Sequence, residues 1–386
     1  MAVPGERRRA RRRVDRRSRR ALVVALAVGA ALVAAAAVVS VVAVRGSSAD
    51  ASSPAASVPP PPSSATPSPT PLTAAQALLA TSADDNSCAV SFAGAGVVVK
   101  PMLQTRGALY SALPLPHLDG EVFAGWYATS ADAASRATAG RVNGSDLVTC
   151  TDRERTLFAG WTTSADNAAE ATAVPVLMYH QFTTKPEGES NALRGNYAYI
   201  GDFAAQIAYI ADTGFYLPTW DELSAFIDGD LYLPKRSVIV TDDDADSTWL
   251  ELAAPVVAEH HVLTTSFVIT KWRTEGAPNP FVLQRSHTND MHEAGADGRG
   301  RMVNWSAAEI AADLETSAAI LGAKEVVAYP FGHYDDTAKA GVAAAGFAMA
   351  RTIDQGSVRI GSDKLALPCV RVDYGMTLDD LVPLIG

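Results

Sequence analysis

The run SVIVTDDD, residues 237–244, decides the reading of this chain. Its β-branched residues specify a short buried strand, and three carboxylates follow at that strand's C-terminal end. Adjacent carboxylates repel, so at least one must take up a proton unless a cation lies among them. The bland alternative is a solvated acidic turn in which Asp246 and Ser247 open the next helix.

The same pattern extends on both sides. VPVLMY (174–179) reads as a buried strand ending at His180. DFAAQIAYIADT (202–213) places Phe203, Ile207 and Ile210 on one helical face and stops at Gly214. WLELAAPVVAEH (249–260) reads as a helix, and the strand TTSFVI (264–269) leads towards SHTNDMH (286–292). Ser306 and Glu309 form a capping box that opens a helix ending at Gly322. EVVAYP (325–330) is a further strand, running into Phe331 and Gly332, and GFAMA (346–350) another. Strand–helix alternation over residues 174–386 predicts a parallel α/β architecture; the pattern alone leaves open sheet and barrel equally available.

Such folds carry their sites at the C-terminal ends of the strands, where His180, Asp242, Asp243, Asp244, His287 and His292 recur. One Asp and two His would hold a divalent metal with positions left open for water and substrate, and a second Asp could then accept a proton. Zinc is the default for that donor set, with cobalt and nickel suited to it as well. His287 and His292 lack the helical i, i+4 spacing, so a loop must present them.

This half of the chain resembles the NodB-homology polysaccharide deacetylases (carbohydrate esterase family 4), and within them the permuted poly-N-acetylglucosamine deacetylase branch. PVLMYHQF, the acidic motif, SHT…H and AYPFG appear in family order. The resemblance implies a distorted (β/α) barrel. It implies Asp243 as general base, Asp244, His287 and His292 as metal ligands, and His180 as general acid to the leaving amine. The Phe331 N–H would help bind the oxyanion. The chain departs from the family in three places. Asp242 replaces an aromatic and puts a charge beside the base, Ala245 replaces Gly, and Ala328 stands where many relatives carry an Arg that steadies the base. Arg371 is the candidate substitute for that cation.

Residues 73–170 have a different texture, with short apolar runs and Gly/Pro/Asp punctuation. FAGWYATSADA (123–133) and FAGWTTSADNA (158–168) are near-duplicates. The segment resembles the Listeria–Bacteroides (InlB B-repeat-like) module, on Gly107, Leu113, Pro114, Pro116, Gly120, Phe123, Gly125, Trp126 and Tyr127, then Thr156, Leu157 and Trp161. That implies a small β-grasp-like domain serving as spacer or adhesion module, with Trp126 and Trp161 in its core. Cys88 and Cys150 fall within it and are expected to bridge outside the cell, leaving Cys369 single and buried.

The first twenty residues carry ten arginines against Glu6 and Asp15, a local +8 in a chain of net −10. Ala21–Val44 has no charge, and at 1.5 Å per residue it spans roughly 36 Å, enough for a ~30 Å hydrocarbon core. The expectation is a cytoplasmic basic tail (1–20), a transmembrane helix (21–44) in preference to a cleaved signal, and a disordered Ser/Pro linker (45–72). A repeat module (73–170) and a deacetylase domain (171–386) would follow outside the cell.

Three functions are thus in competition. The first is metal-dependent removal of N-acetyl groups from an extracellular N-acetylglucosamine polysaccharide. The second is a catalytically weak relative acting in glycan binding or adhesion. Glycosidic hydrolysis would need a carboxylate pair at about 5–10 Å, and the paired histidines lend it little support. Nothing in the sequence points to nucleic acid.

Overall fold

Residues 71–273 and 275–386 are described by a computed structural model. The expected basic tail, membrane span and nearly all of the Ser/Pro linker lie outside the described residues. Among the described residues no helix is long and apolar enough to cross a membrane.

The first part holds α1 (Ala74–Leu79), β1 (Ser87–Ala93), β2 (Met102–Thr105), β3 (Val122–Tyr127), α2 (Ser130–Ser135), β4 (Arg141–Val142), β5 (Glu154–Thr162) and α3 (Ser164–Glu170). Its sheet runs β2-β1-β5-β3-β4, with β1 and β5 parallel and the other pairs antiparallel. The sequence duplicate is a structural duplicate. In each copy a strand leads to a threonine that caps a short helix, Thr129 accepting from the Asp132 N–H and Thr163 from the Asp166 N–H. The two copies pair with each other, Gly125 opposite Gly160 and Phe123 opposite Trp161. Gly125 has φ 107°, and a side chain there would run into the guanidinium of Arg141.

Cys88 and Cys150 are bonded, with Cα atoms 6.2 Å apart, while Cys369 is free and buried. The bridge closes a loop of sequence separation 62. Replacing both cysteines by serine should lower stability by about 2–4 kcal/mol, read as a fall in the guanidinium midpoint at unchanged m-value.

The second part begins with β6 (Val174–Tyr179), followed by a side ribbon of β7 (Gln181–Thr183) and β8 (Tyr197–Tyr199). Then come α4 (Ile200–Asp212), α5 (Trp220–Asp228), β9 (Ile239–Asp243), α6 (Ala254–Glu259), β10 (Thr264–Val268) and β11 (Val282–Ser286). The chain finishes with α7 (Ala307–Leu321), β12 (Val326–Ala328), α8 (Asp336–Ala344), β13 (Met349–Gln355), β14 (Ser357–Val358), β15 (Leu367–Arg371) and α9 (Leu378–Ile385). Because β6 pairs in parallel with both β9 and β15, seven parallel strands close into a barrel in the order β6-β9-β10-β11-β12-β13-β15. The short β14 adds to β6 antiparallel. Of the two α/β alternatives, the barrel is the one formed.

The expected helices fall where capping chemistry puts them. Phe203, Ile207 and Ile210 are buried on α4, and Ser306 with Glu309 forms the capping box of α7. The helix expected at 249–260 starts instead with a π turn at Trp249–Ala253 before α6. Period-two alternation sorts the barrel strands into two layers. Ile239 joins the interior with Val176, Met178 and Phe267, while Val238 and Val240 pack outwards under Phe203 and Trp249.

The boundary at 170/171 divides the sequence but not the core. Cys88, Phe123, Trp126 and Leu157 belong to the same apolar cluster as Val174, Val176 and Met178. Trp126 and Trp161 are therefore packed groups rather than sugar platforms, both stacking edgewise on Phe123. Polar contacts reinforce the junction. Arg141 of β4 lies over the Tyr216 ring, 4.2 Å to its centroid, and 3.7 Å from Glu222. Asn143 donates to Glu222 at 2.6 Å and to the Leu217 carbonyl at 2.9 Å.

Candidate metal-dependent active site

Four barrel strands, β6, β9, β11 and β12, deliver the candidate residues to one pocket, lined among others by His180, Asp243, Asp244, His287, His292 and Phe331. His180 follows β6, Asp243 ends β9, His287 follows β11 and Phe331 follows β12. Strand polarity explains the convergence: all these strands are parallel, so their C-terminal ends open on the same face.

The acidic triplet splits three ways. Asp243 continues the inward series of Ile239 and Thr241. Asp242 continues the outward one, where its carboxylate accepts from the Ser266 hydroxyl at 3.1 Å. Burial first, then the charges of Asp243 and Asp244, push the Asp242 carboxyl well above its ordinary range. That shift works against the added charge expected beside the base. Asp244 and Ala245 both adopt left-handed backbone, φ 75° and 49°. The glycine that Ala245 replaces would hold that turn without the penalty an alanine incurs.

Asp244 turns towards the histidines. Its Oδ1 lies 3.4 Å from His287 Nε2 and 3.3 Å from His292 Nε2. One donor atom from each of the three residues falls within 4.8 Å of the others. The His287 Nδ1–H donates to the Ala328 carbonyl at 3.0 Å, which leaves the Nε2 lone pair facing Asp244. Asp244 Oδ1 is buried without a hydrogen-bond partner, an orphaned carboxylate oxygen between two imidazoles, and this donor set suits a divalent ion. Burial raises the Asp244 carboxyl but the two histidines outweigh it and hold it low. For His292, burial and the neighbouring His287 push the pKa down to about 4. Burial opposes charge on His287 too, but Asp244 and Asp243 overcome it and raise that pKa.

Asp243 is fixed from the other side. Its Oδ1 takes an ion pair from Arg351, a fully buried residue of β13, and its Oδ2 lies 3.7 Å from His180 Nε2. Burial would raise the Asp243 carboxyl, yet Arg351, then His180 and His287, hold it below the usual range. Burial lowers His180 against the pull of Asp243 and Asp244. Arg351 is the residue that sequence reasoning missed. Arg371, offered for this role, pairs instead with Asp373 at 2.5 Å and Asn196 at 2.6 Å, at the pocket wall. A signal was present: in FAMAR, Met349 and Arg351 share the interior parity, so an arginine was being sent into an apolar barrel, which demands a buried anion.

Phe331 sits at φ 57°, a left-handed conformation that costs a non-glycine residue about 1–2 kcal/mol. Among the described residues no carbonyl accepts from its N–H. Its ring, 45% exposed, lies 4.2 Å from that of His292.

Residues 231–350 match the family model described as polysaccharide deacetylase. That segment, which carries Asp243, Asp244, His287 and His292, is thus similar to a hydrolase family. The chain is similar to the poly-β-1,6-N-acetyl-D-glucosamine N-deacetylase of Staphylococcus aureus (strain MRSA252; 25% identity over 160 residues, 36% of this chain and 55% of that protein). The Staphylococcus epidermidis protein of the same name is 24% identical over 160 residues, with the same coverage. The chain spans about half the length of these relatives. Among solved structures it is similar to the Streptococcus pyogenes deacetylase PplD in complex with acetate (20% identity, TM-score 0.48, 56% of this chain and 99% of that one).

Proposed function

We propose that this protein removes N-acetyl groups from an N-acetylglucosamine-containing polysaccharide outside the cell, held at the membrane by residues 21–44. The observation that carries the reading is the meeting of Asp244, His287 and His292 donor atoms within 4.8 Å, with Asp243 held ionised beside them by Arg351. Similarity to enzymes named for that reaction supports the substrate class.

A divalent ion held by Asp244, His287 and His292, zinc by donor type, would supply Lewis acidity and acidify a water. Asp243 is the proton acceptor; its second oxygen faces His180 across 3.7 Å. Because Arg351 takes up Oδ1, Oδ2 is the oxygen that receives the proton. His180, at the same pocket, is the group that delivers a proton to the departing sugar nitrogen. The unpaired Phe331 N–H donates to the oxygen on which negative charge develops. Acetate and a free amine result. The β-grasp-like module would serve as a spacer that also completes the barrel's apolar end.

The test is acetate release by the full chain from poly-β-1,6-N-acetylglucosamine and chitin oligosaccharides, with zinc and after chelation. Release that stops on chelation and returns with zinc supports the proposal. Bound zinc without acetate from any N-acetylated polymer favours the alternative, a surface glycan-binding protein.

A further inference from the structure

Helix α7 carries an aspartate on its buried face. Ile310, Asp313, Leu314, Ser317 and Ala318 form that face, so Asp313 stands where the helical period calls for an apolar residue. A buried carboxylate needs partners, and it finds two. Its Oδ1 accepts from the Asn289 N–H at 2.8 Å and its Oδ2 from the Asp290 N–H at 2.7 Å. Both donors lie in the loop between His287 and His292.

The rest of that loop is arranged around the same contact. Thr288 has φ 70°, an unfavourable value for a β-branched residue, which persists only where the surroundings over-determine it. Ser286 Oγ accepts from the Thr288 N–H at 3.0 Å and lies 2.8 Å from Ser317 Oγ, one turn further along α7. Thr288 Oγ1 in turn accepts from the Met291 N–H at 3.2 Å. One helix thus grips both the start and the middle of the loop, and the loop is what separates two histidines that no helix spaces.

We infer that Asp313 is a positioning residue for the metal centre: its carboxylate clamps the Asn289 and Asp290 amides and so sets the placement of His292 relative to His287. The inference rests on the metal-site reading above. It makes the five-residue histidine separation a property of two elements, the loop and α7, and it assigns a site role to a residue remote from the pocket lining.

The experiment measures zinc affinity of the full chain by competition with a chromogenic chelator, for the wild type, D313A, D313N and, as a control for the site, D244A. D313A removes both acceptors and should weaken zinc binding by about 10–100-fold, the range for lost outer-shell partners. D313N keeps one acceptor and should fall between. Affinity within twofold of wild type in a folded D313A or D313N overturns the inference, even if the melting temperature drops, since that pattern is a purely structural role. Amide exchange on the wild type provides a check that needs no variant: the Asn289 and Asp290 amides should be strongly protected, and exchange at loop rates would overturn the clamp. If the wild type binds zinc no better than D244A, it is the metal reading that fails, and the exchange result still decides the clamp.

Discussion

Asp243→Asn is expected to reduce acetate release by at least about 10³-fold while leaving zinc bound. An amide cannot accept the proton that the ionised carboxylate takes, and that carboxylate is kept ionised at considerable cost. It is 3% exposed, and only Arg351 and the adjacent histidines keep it below the usual range. The metal-binding set is untouched, because Asp244 reaches the histidines from the next residue along a left-handed turn. Equal loss of kcat and kcat/KM at unchanged zinc stoichiometry would match a group that acts in the transition state. If D243N kept more than a tenth of the wild-type rate, the base would have to be another residue, and His180 would be the next to test.

How far the sequence reached is visible residue by residue. The strand–helix alternation and the helix caps depend on local chemistry, so they were legible, and so was the arrival of His180, Asp243, Asp244, His287, His292 and Phe331 at strand ends. Closure into a barrel was not legible in the pattern, since it depends on β6 pairing with both β9 and β15, contacts between strands far apart in the chain. The face on which each member of the acidic triplet lies follows from counting in twos from Ile239, yet it needs the strand to continue through Asp243 and turn at Asp244. The partner of Asp243 lay 108 residues away, and only parity on β13 marked it. Packing between the two parts was illegible for a related reason. Texture changes at residue 170, but apolar residues on both sides of that point pack into one core.

Arg351→Met is expected to destabilise the protein by about 3–5 kcal/mol at neutral pH. The arginine is fully buried, its guanidinium lies 5.2 Å from the Phe267 ring centroid, and it contacts the Met178 sulfur at 2.9 Å. Methionine fills a similar volume, so packing loss is small, and the effect comes from leaving a carboxylate buried without its cation. Removing the second charge should reverse much of this. R351M/D243N removes both charges of this pair and is expected to regain at least half of the lost stability, a coupling that a denaturant double-mutant cycle measures directly. The pH dependence has a definite sign. Asp243 titrates lower in the folded protein than its unfolded value near 3.9, so its stabilisation is complete above about pH 4 and disappears as pH falls through the folded value. The gap between wild type and R351M should therefore narrow in acid. A gap that stayed constant from pH 7 to pH 3, or a double variant no better than R351M, would mean that the arginine stabilises the barrel by packing and not by holding the base ionised.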